Sequence, residues 1–329
     1  MRSVAAELKD RLRAFADTAP QVPFAQPLGG ELPLSYRYGA FHGDTIELAG
    51  EDYADDRRKP ARWIFDHIPD PLSVLSEDTE TDEAFDAFLS RYPVYETLSQ
   101  GGKGGIFAAF DLEADAFNDL ILKIGYRKGQ VLPDGRDGMA LLKREADFFA
   151  LLDERRIATV APALADYRQF RDRNVLIMER IDGQNLQTLR TDGALTRGHV
   201  EKCLAVLDTI HGAGLYVGDA KIANFVEETA SAKIYAIDFE AAGRLDTAKL
   251  DILCTYHFSR PTFGDMAKLE RCHLLYSALH VDDETTFSES DRIIDLPQKL
   301  AQITPSDETG KWALGLLQAE LLDIEVDVG

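Results

Sequence analysis

An Asp-x-Lys-x-x-Asn motif, followed by a second aspartate at the end of an apolar stretch, constrains this chain more than any other feature. The motif contains Asp219, Lys221 and Asn224, and the second aspartate is Asp238. Phosphoryl transfer needs a carboxylate that orients or deprotonates the acceptor hydroxyl, a cation near the transferred group, and oxygen ligands for magnesium. We therefore predict a phosphotransferase site in which Asp219 is the base, Lys221 is the cation, and Asn224 and Asp238 are the metal ligands.

The order of predicted elements around this motif indicates a two-part fold. Strand-like runs cover residues 105–110, 119–124, 164–170 and 175–181, with a predicted helix over 139–153 between the second and third runs. Beyond residue 182 the pattern is mainly helical, with predicted helices over 197–213, 265–280 and 310–322 and short strands over 225–226 and 234–237. Antiparallel strands interrupted by one helix predict a small mixed lobe, and the remainder predicts a larger helical lobe. The expected fold class is α+β.

Four glycines and a lysine lie between two strand-like stretches. The segment reads Gly101-Gly102-Lys103-Gly104-Gly105. Glycine allows a backbone to approach an anion closely, so a flap of this kind can place N–H donors on phosphates. The alternative is an ordinary glycine-rich turn. A Walker-type phosphate loop is absent from the sequence, which argues against a P-loop NTPase.

Lys123 lies within the otherwise apolar run Leu120–Ile124, and Glu145 lies on the helix predicted to follow it. Burial of an ammonium group is costly without a partner, and phosphate oxygens or a carboxylate would both serve. The prediction is that Lys123 pairs with Glu145 and holds phosphates. The alternatives are a lysine pointing to solvent from an edge strand and a glutamate on an exposed helix face.

These elements together resemble the protein-kinase-like superfamily over about residues 92 to 280. The resemblance implies ATP and Mg²⁺ as cofactors, Met178 as the gatekeeper, and adenine contacts from the backbone of Glu179 and Ile181. Two motifs depart from the usual kinase pattern. The catalytic-loop His-Arg-Asp is replaced by Val217-Gly218-Asp219, and Asp-Phe-Gly is replaced by Asp238-Phe239-Glu240.

The Asp-Phe-Glu-Ala-Ala string over 238–242 resembles the kinase domains of class III and class IV lanthipeptide synthetases. A Tyr-Arg-Tyr-Gly-x-Phe motif over 36–41 and the segment Asp-Asp-Arg-Arg-Lys-Pro over 55–60 are similar to the region that leads into that domain. The alternative is that the aromatic residues of the motif are core positions of a small sheet. The resemblance implies a kinase that phosphorylates Ser and Thr of a ribosomally made precursor peptide before elimination to dehydroamino acids.

We expect three regions: an extension over 1–90, a kinase N-lobe over 91–181 and a kinase C-lobe over 182–329. The extension is a candidate docking site for a leader peptide or a lyase. Neither the extension nor the region after His280 is long enough for a lyase or cyclase domain. The expectation is therefore a stand-alone kinase with a separate phospho-Ser/Thr lyase, as in class V lanthipeptide and thioamitide systems.

Composition excludes several classes of function. The chain has 36 Lys and Arg against 57 Asp and Glu, a formal net charge of −21, which disfavours nucleic acid and anionic membrane as partners. No run approaches the roughly 18 apolar residues that a membrane span requires, so we expect a cytoplasmic protein. The three cysteines, Cys203, Cys254 and Cys272, indicate neither a disulfide framework nor a cysteine-rich zinc site.

Two other functions stay open at this point. One is a small-molecule phosphotransferase of the aminoglycoside or choline type, which also tolerates a missing catalytic-loop arginine. The other is a pseudokinase scaffold, although a scaffold has no need of magnesium ligands. Among the remaining candidates, Asp251 is either a brace for the catalytic loop or a surface residue, and His211 and His273 are interpreted as structural or surface residues.

Overall fold

The computed structural model describes most of the chain from residue 83 onward. The described residues are 83–114, 118–247, 266–279 and 300–322, together with 7, 11, 26–27, 35–36, 45–48 and 50–54. Most of the tyrosine-containing motif over 36–41, the segment over 55–60, and Asp251 lie outside them.

Strands dominate the first part of the chain and helices the second. The strands are β1 (Gln26–Pro27), β2 (Ser35–Tyr36), β3 (Thr45–Leu48), β4 (Glu51–Ala54), β5 (Val94–Gln100), β6 (Gly104–Phe110), β7 (Asp119–Tyr126), β8 (Leu164–Gln169), β9 (Arg173–Glu179), β10 (Gly183–Asn185), β11 (Leu215–Tyr216), β12 (Phe225–Glu228), β13 (Ile234–Ala236) and β14 (Gly243–Arg244). The helices are α1 (Glu83–Arg91), α2 (Gly138–Glu154), α3 (Leu186–Thr191), α4 (Arg197–Gly212), α5 (Met266–Ser277) and α6 (Glu308–Leu322).

The chain forms two compact units, of which the first comprises Met1–Lys143 and Ala165–Glu179. Its centre is a five-stranded sheet in the order β5-β6-β7-β9-β8, in which β7 pairs antiparallel with both β6 and β9. Leu122 and Ile177 face each other across β7 and β9 and are fully buried. They belong to an apolar cluster with Phe85 of α1, so α1 covers one face of the sheet.

Glycines allow β7, α2 and the glycine-rich turn to approach closely within the first unit. A Cβ on Gly125 would lie 2.1 Å from the Gly138 carbonyl oxygen, and a Cβ on Gly138 would lie 1.9 Å from the Lys103 carbonyl oxygen. Asp137 caps this end of α2 by accepting hydrogen bonds from the N–H of Ala140 (3.0 Å) and of Lys128 (2.6 Å). The start of α2 is therefore fixed against the end of β7.

The second unit comprises Arg144–Leu164 and Arg180–Gly329 and is mainly helical. Helix α4 packs against α5, and α5 packs against α6. The Thr196 side chain accepts a hydrogen bond from the His199 N–H, and His199 Nδ1 accepts one from the Thr196 backbone N–H, which forms a capping box at the start of α4. Two small antiparallel sheets, β10-β12-β13 and β11-β14, complete the unit.

The predicted α+β class is confirmed, and the architecture is compatible with a two-lobed kinase-like fold. Predicted strands and helices lie within a few residues of the observed ones. The strand predicted over 175–181 ends at Glu179, so Ile181 follows it, and the helix predicted over 265–280 ends at Ser277. The three predicted region boundaries stay predictions. Among the described residues, none of the helices has the length and apolar character needed to cross a bilayer.

Replacement of Leu122 by alanine tests the sheet core of the first unit. The side chain is fully buried, so we expect the free energy of unfolding to fall by about 2–5 kcal/mol because a cavity remains. Urea denaturation followed by fluorescence measures this change. Leu112→Ala, at a position 61% exposed, is the control and should change stability little. Equal losses for the two variants would contradict the assigned core.

Candidate active site

Asp219 is held by two residues of its own motif. Lys221 Nζ donates to Asp219 Oδ2 at 2.6 Å, and Asn224 Nδ2 donates to the same oxygen at 3.1 Å. Asn224 Nδ2 also donates to the Asp219 backbone carbonyl at 2.8 Å. The structure therefore brings Asp219, Lys221 and Asn224 together as the sequence spacing predicts. A lysine and an amide thus fix the orientation of this carboxylate.

The other carboxylate oxygen of Asp219 is different. Oδ1 is buried and has no hydrogen-bond partner among the described residues. A buried acceptor without a donor costs free energy, and such atoms persist in proteins mainly where they have a functional role or an additional ligand. Oδ1 is thus the oxygen of this carboxylate that has no donor among the described residues.

Asn224 and Asp238 are brought to one end of the β12–β13 hairpin. Phe225, which follows Asn224, pairs with Ala236, and the Ile237 N–H donates to the Asn224 carbonyl oxygen at 2.9 Å. Asp238 then follows directly with a φ of 67°, a backbone conformation that few residues other than glycine adopt and that recurs at functional sites.

Asn224 and Asp238 are the residues here that could hold a magnesium ion. Both hydrogen bonds made by the Asn224 side chain are donated by Nδ2, so its Oδ1 is left as a candidate ligand. Asp238 supplies carboxylate oxygens at the same end of the hairpin. Carboxylate and amide oxygens are the ligand types that this ion prefers.

A buried glutamate on α5 holds the backbone just before Asp219. Glu270 is fully buried and accepts hydrogen bonds from the N–H of Val217 at 3.1 Å and of Gly218 at 2.5 Å. His211 Nε2 lies 2.7 Å from the same carboxylate. Two backbone donors and the imidazole contact compensate for burying the carboxylate, so Glu270 restrains the backbone before Asp219.

The same helix contacts the loop at two further points. His273 Nδ1 donates to the Ala220 carbonyl oxygen at 3.1 Å, and Ser277 Oγ accepts from the Ile222 N–H at 2.9 Å. Glu270, His273 and Ser277 occupy positions i, i+3 and i+7, which lie on one face of a helix. One face of α5 therefore fixes the loop on both sides of Asp219.

Glu145 is located on α2 within the second unit. It is 1% exposed, and its carboxylate accepts a 3.4 Å hydrogen bond from the N–H of Phe239. The alternative interpretation, an exposed helix glutamate, is excluded. Glu145 thus contacts the residue that follows the candidate magnesium ligand Asp238.

The remaining predicted residues lie in the first unit. Lys123 is 8% exposed on the central strand β7, opposite Ile106 and Leu176, so the alternative of an exposed edge strand is excluded. The turn that contains Gly102 and Lys103 is closed by hydrogen bonds between Gly101 and Gly104, and the Lys103 carbonyl accepts from Tyr126 N–H at 3.0 Å.

The predicted adenine-contacting residues lie on or just after strand β9. Met178 is buried on β9, and Glu179 is the exposed last residue of that strand. Ile181 is half-buried and belongs to the second unit. The contacts of Met178, Glu179 and Ile181 with adenine, and the pairing of Lys123 with Glu145, stay predictions.

Sequence reasoning missed the residues that support the loop. Glu270 and Ser277 were not singled out, and His273 was interpreted only as structural or surface. A signal for them exists in the sequence: polar residues at helical spacing among the buried positions Leu269, Cys272, Leu274 and Leu275. Burial raises the pKa of the Cys272 thiol to about 12, so this cysteine is a packing residue and not a nucleophile.

Comparison with known proteins shows a distant relationship. No family model matches the chain. The chain is 25% identical over 263 residues to a probable SapB synthase from Streptomyces coelicolor (strain ATCC BAA-471 / A3(2) / M145). The match covers 70% of this chain and 27% of the relative, so the chain spans about a quarter of the relative's length. The chain is similar to part of a biosynthetic enzyme.

Replacement of Glu270 tests the support of the loop. Glu270→Ala leaves two buried backbone N–H groups and His211 without their acceptor. We therefore expect the free energy of unfolding to fall by about 2–5 kcal/mol. Denaturant titration measures the change. Glu201→Ala, which removes a largely exposed pair with Arg197, should have a much smaller effect. If both variants lose the same stability, the role assigned to Glu270 is wrong.

Proposed function

We propose that the chain is an ATP-dependent kinase that phosphorylates Ser and Thr of a ribosomally made precursor peptide in lanthipeptide-type biosynthesis. The observation that supports the proposal most is the hydrogen bonding of the two carboxylate oxygens of Asp219. One of its oxygens is held by Lys221 and Asn224, and the other is buried without a partner among the described residues. A fixed carboxylate with one available oxygen suits a group that orients and deprotonates a hydroxyl.

In the proposed reaction, Asp219 Oδ1 accepts the proton of the peptide hydroxyl while the hydroxyl oxygen forms a bond to the γ-phosphorus of ATP. The bond to the leaving ADP oxygen breaks as the new bond forms. Lys221 Nζ, 2.6 Å from Asp219 Oδ2, keeps a positive charge beside the reacting oxygens. Asn224 Oδ1 and the Asp238 carboxylate would hold Mg²⁺, which neutralises the phosphate charge when bound.

ATP binding is proposed for residues of the first unit. The glycine-rich turn, Gly101 to Gly104 with Lys103, would cover the phosphates, and Lys123 would contact the α- and β-phosphates. Met178 would line the adenine pocket, with the backbone of Glu179 binding the adenine edge. A lysine buried in the centre of a sheet supports this assignment because the burial of an ammonium group calls for an anionic partner.

The peptide acceptor is proposed from similarity. The relative is named a SapB synthase, and that name suggests lanthipeptide-type biosynthesis. The motifs over 36–41 and 238–242 suggest the same class. Residues 1–90 are the proposed docking site for a leader peptide or for a separate phospho-Ser/Thr lyase.

Replacement of Asp219 by asparagine tests the proposed base. We expect the variant to bind ATP normally and to transfer phosphoryl groups at a rate lower by about 10²–10⁴-fold because the amide accepts no proton. The measurement is transfer of labelled γ-phosphate to precursor peptides rich in Ser and Thr, with aminoglycosides and choline as competing acceptors. Nucleotide binding is measured separately by calorimetry.

The control variant is Asp192→Asn, which removes an exposed aspartate at the end of α3 and should keep full activity. Transfer to an aminoglycoside or to choline but to no peptide would replace the proposed acceptor with a small molecule. Full activity of Asp219→Asn would overturn the base assignment. An unchanged protein that binds ATP without transferring phosphate to any acceptor would be a pseudokinase.

Asp238→Asn tests the proposed metal ligands. The variant loses a charged oxygen ligand, so we expect the Mg²⁺ concentration for half-maximal activity to rise by about tenfold or more. A titration of activity with Mg²⁺ at saturating ATP measures the shift. An unchanged Mg²⁺ requirement would exclude Asp238 as a ligand.

A further inference from the structure

Arg144 binds the backbone just after the candidate magnesium ligand. Its Nε donates to the Ala242 carbonyl oxygen at 2.9 Å, and its Nη2 donates to the Ala241 carbonyl oxygen at 2.8 Å. Nη2 also lies 3.2 Å from the Tyr216 hydroxyl oxygen. All four residues belong to the second unit. A planar guanidinium with two fixed donors sets the position and the orientation of the two carbonyl groups together.

Arg144 binds two buried residues of this segment. Ala241 and Ala242 are almost fully buried, and their side chains carry no polar group. Buried carbonyl groups need donors, so the guanidinium both satisfies these acceptors and fixes the chain. The Ala242 N–H donates to the Phe239 carbonyl at 3.1 Å, which closes a turn over 239–242. Asp238 immediately precedes this turn.

The turn is in close contact with the residue before Asp219. Gly218 has a φ of 87°, and a Cβ placed on it would lie 2.3 Å from the Ala241 carbonyl oxygen. That oxygen is the acceptor of Arg144 Nη2. The Ala241 backbone is therefore packed between Arg144 and Gly218, so a displacement of the turn would act on the loop that carries Asp219.

Arg144 and Glu145 are consecutive residues of α2 that bind the same short segment. Glu145 accepts from the Phe239 N–H, and Arg144 donates to the carbonyls of Ala241 and Ala242. Glu145 supplies the acceptor and Arg144 supplies the donors, so together they bind both the N–H and the carbonyl groups of this backbone segment.

We propose that Arg144 is a positioning residue, which fixes the turn over 239–242 and thereby aligns Asp238 with the loop that carries Asp219. The inference rests on the proposed kinase function for its effect on rate. Its structural part, the restraint of the turn, is independent of that function. Arg144 acts through the backbone and touches neither the proposed nucleotide nor the acceptor in this assignment.

Arg144→Met removes the donors and keeps most of the side-chain volume. We expect kcat to fall by about 10–100-fold, because small displacements of reacting groups are costly, while the KM for the peptide stays within about threefold. Backbone amides of residues 239–244 should exchange with deuterium faster, whereas those of α4 should not change. Arg144→Lys restores a charge and one donor but not the fork, so its kcat should lie between those of Arg144→Met and the unchanged protein.

The matched control is Arg155→Met, which removes the same charge from a side chain that is 40% exposed just after the end of α2. It should leave the rate and the exchange of residues 239–244 unchanged. Two measurements separate misfolding of Arg144→Met from local release of the turn. A misfolded protein would melt at a lower temperature, and its α4 amides would also exchange faster with deuterium. If Arg144→Met misfolds, the rate and the exchange are compared between Arg144→Lys, which keeps the charge, and the unchanged protein.

The two proposals fail in different ways. If the unchanged protein transfers no phosphate, the proposed function is wrong, and the exchange measurement still decides whether Arg144 restrains the turn. Unchanged exchange over 239–244 in folded Arg144→Met overturns the inference whatever the activity. Faster exchange over 239–244 with an unchanged kcat would show that Arg144 restrains the turn without aligning Asp238 for the reaction. A rise in KM with an unchanged kcat would instead indicate a role in substrate binding.

Discussion

The Glu270 carboxylate is fully buried in the second unit, where two backbone N–H groups and an imidazole surround it. Taking a carboxylate out of water costs several kcal/mol, and this cost is offset only when its oxygens are matched by well-placed donors. The donors here belong to the backbone of Val217 and Gly218, immediately before Asp219. The loop geometry is therefore fixed by the requirement to compensate one buried charge.

The same principle operates on the other side of the candidate site. The turn after Asp238 contains buried backbone groups that its alanine side chains cannot serve. Arg144 and Glu145 supply the missing donors and acceptor from one helix. Any folded chain must supply donors to its buried carbonyl groups and compensate its buried charges. These two requirements place the two aspartates of the site.

Backbone conformations that are costly elsewhere lie where these restraints converge. Gly218 and Asp238 both have positive φ, at 87° and 67°. Glycine tolerates this region freely, whereas aspartate does so at a cost that the surrounding contacts must offset. Gly218 is also required for a second reason, because any side chain there would collide with Ala241. The departure from the usual kinase pattern at Val217-Gly218-Asp219 therefore belongs to a consistent local packing in this chain.

The sequence by itself determined the α+β class, the order of most strands and helices, and the grouping of Asp219, Lys221 and Asn224. These depend on local spacing: strand and helix periodicity act over a few residues, and a short loop brings i, i+2 and i+5 together. Only the tertiary structure decided that Lys123 lies on a central strand, that Glu145 binds the Phe239 N–H, and that Glu270 and Arg144 hold the loop and the turn. Those contacts join residues far apart in the chain, and a glutamate or arginine on an amphipathic helix gives the same local pattern whether it faces solvent or a buried backbone.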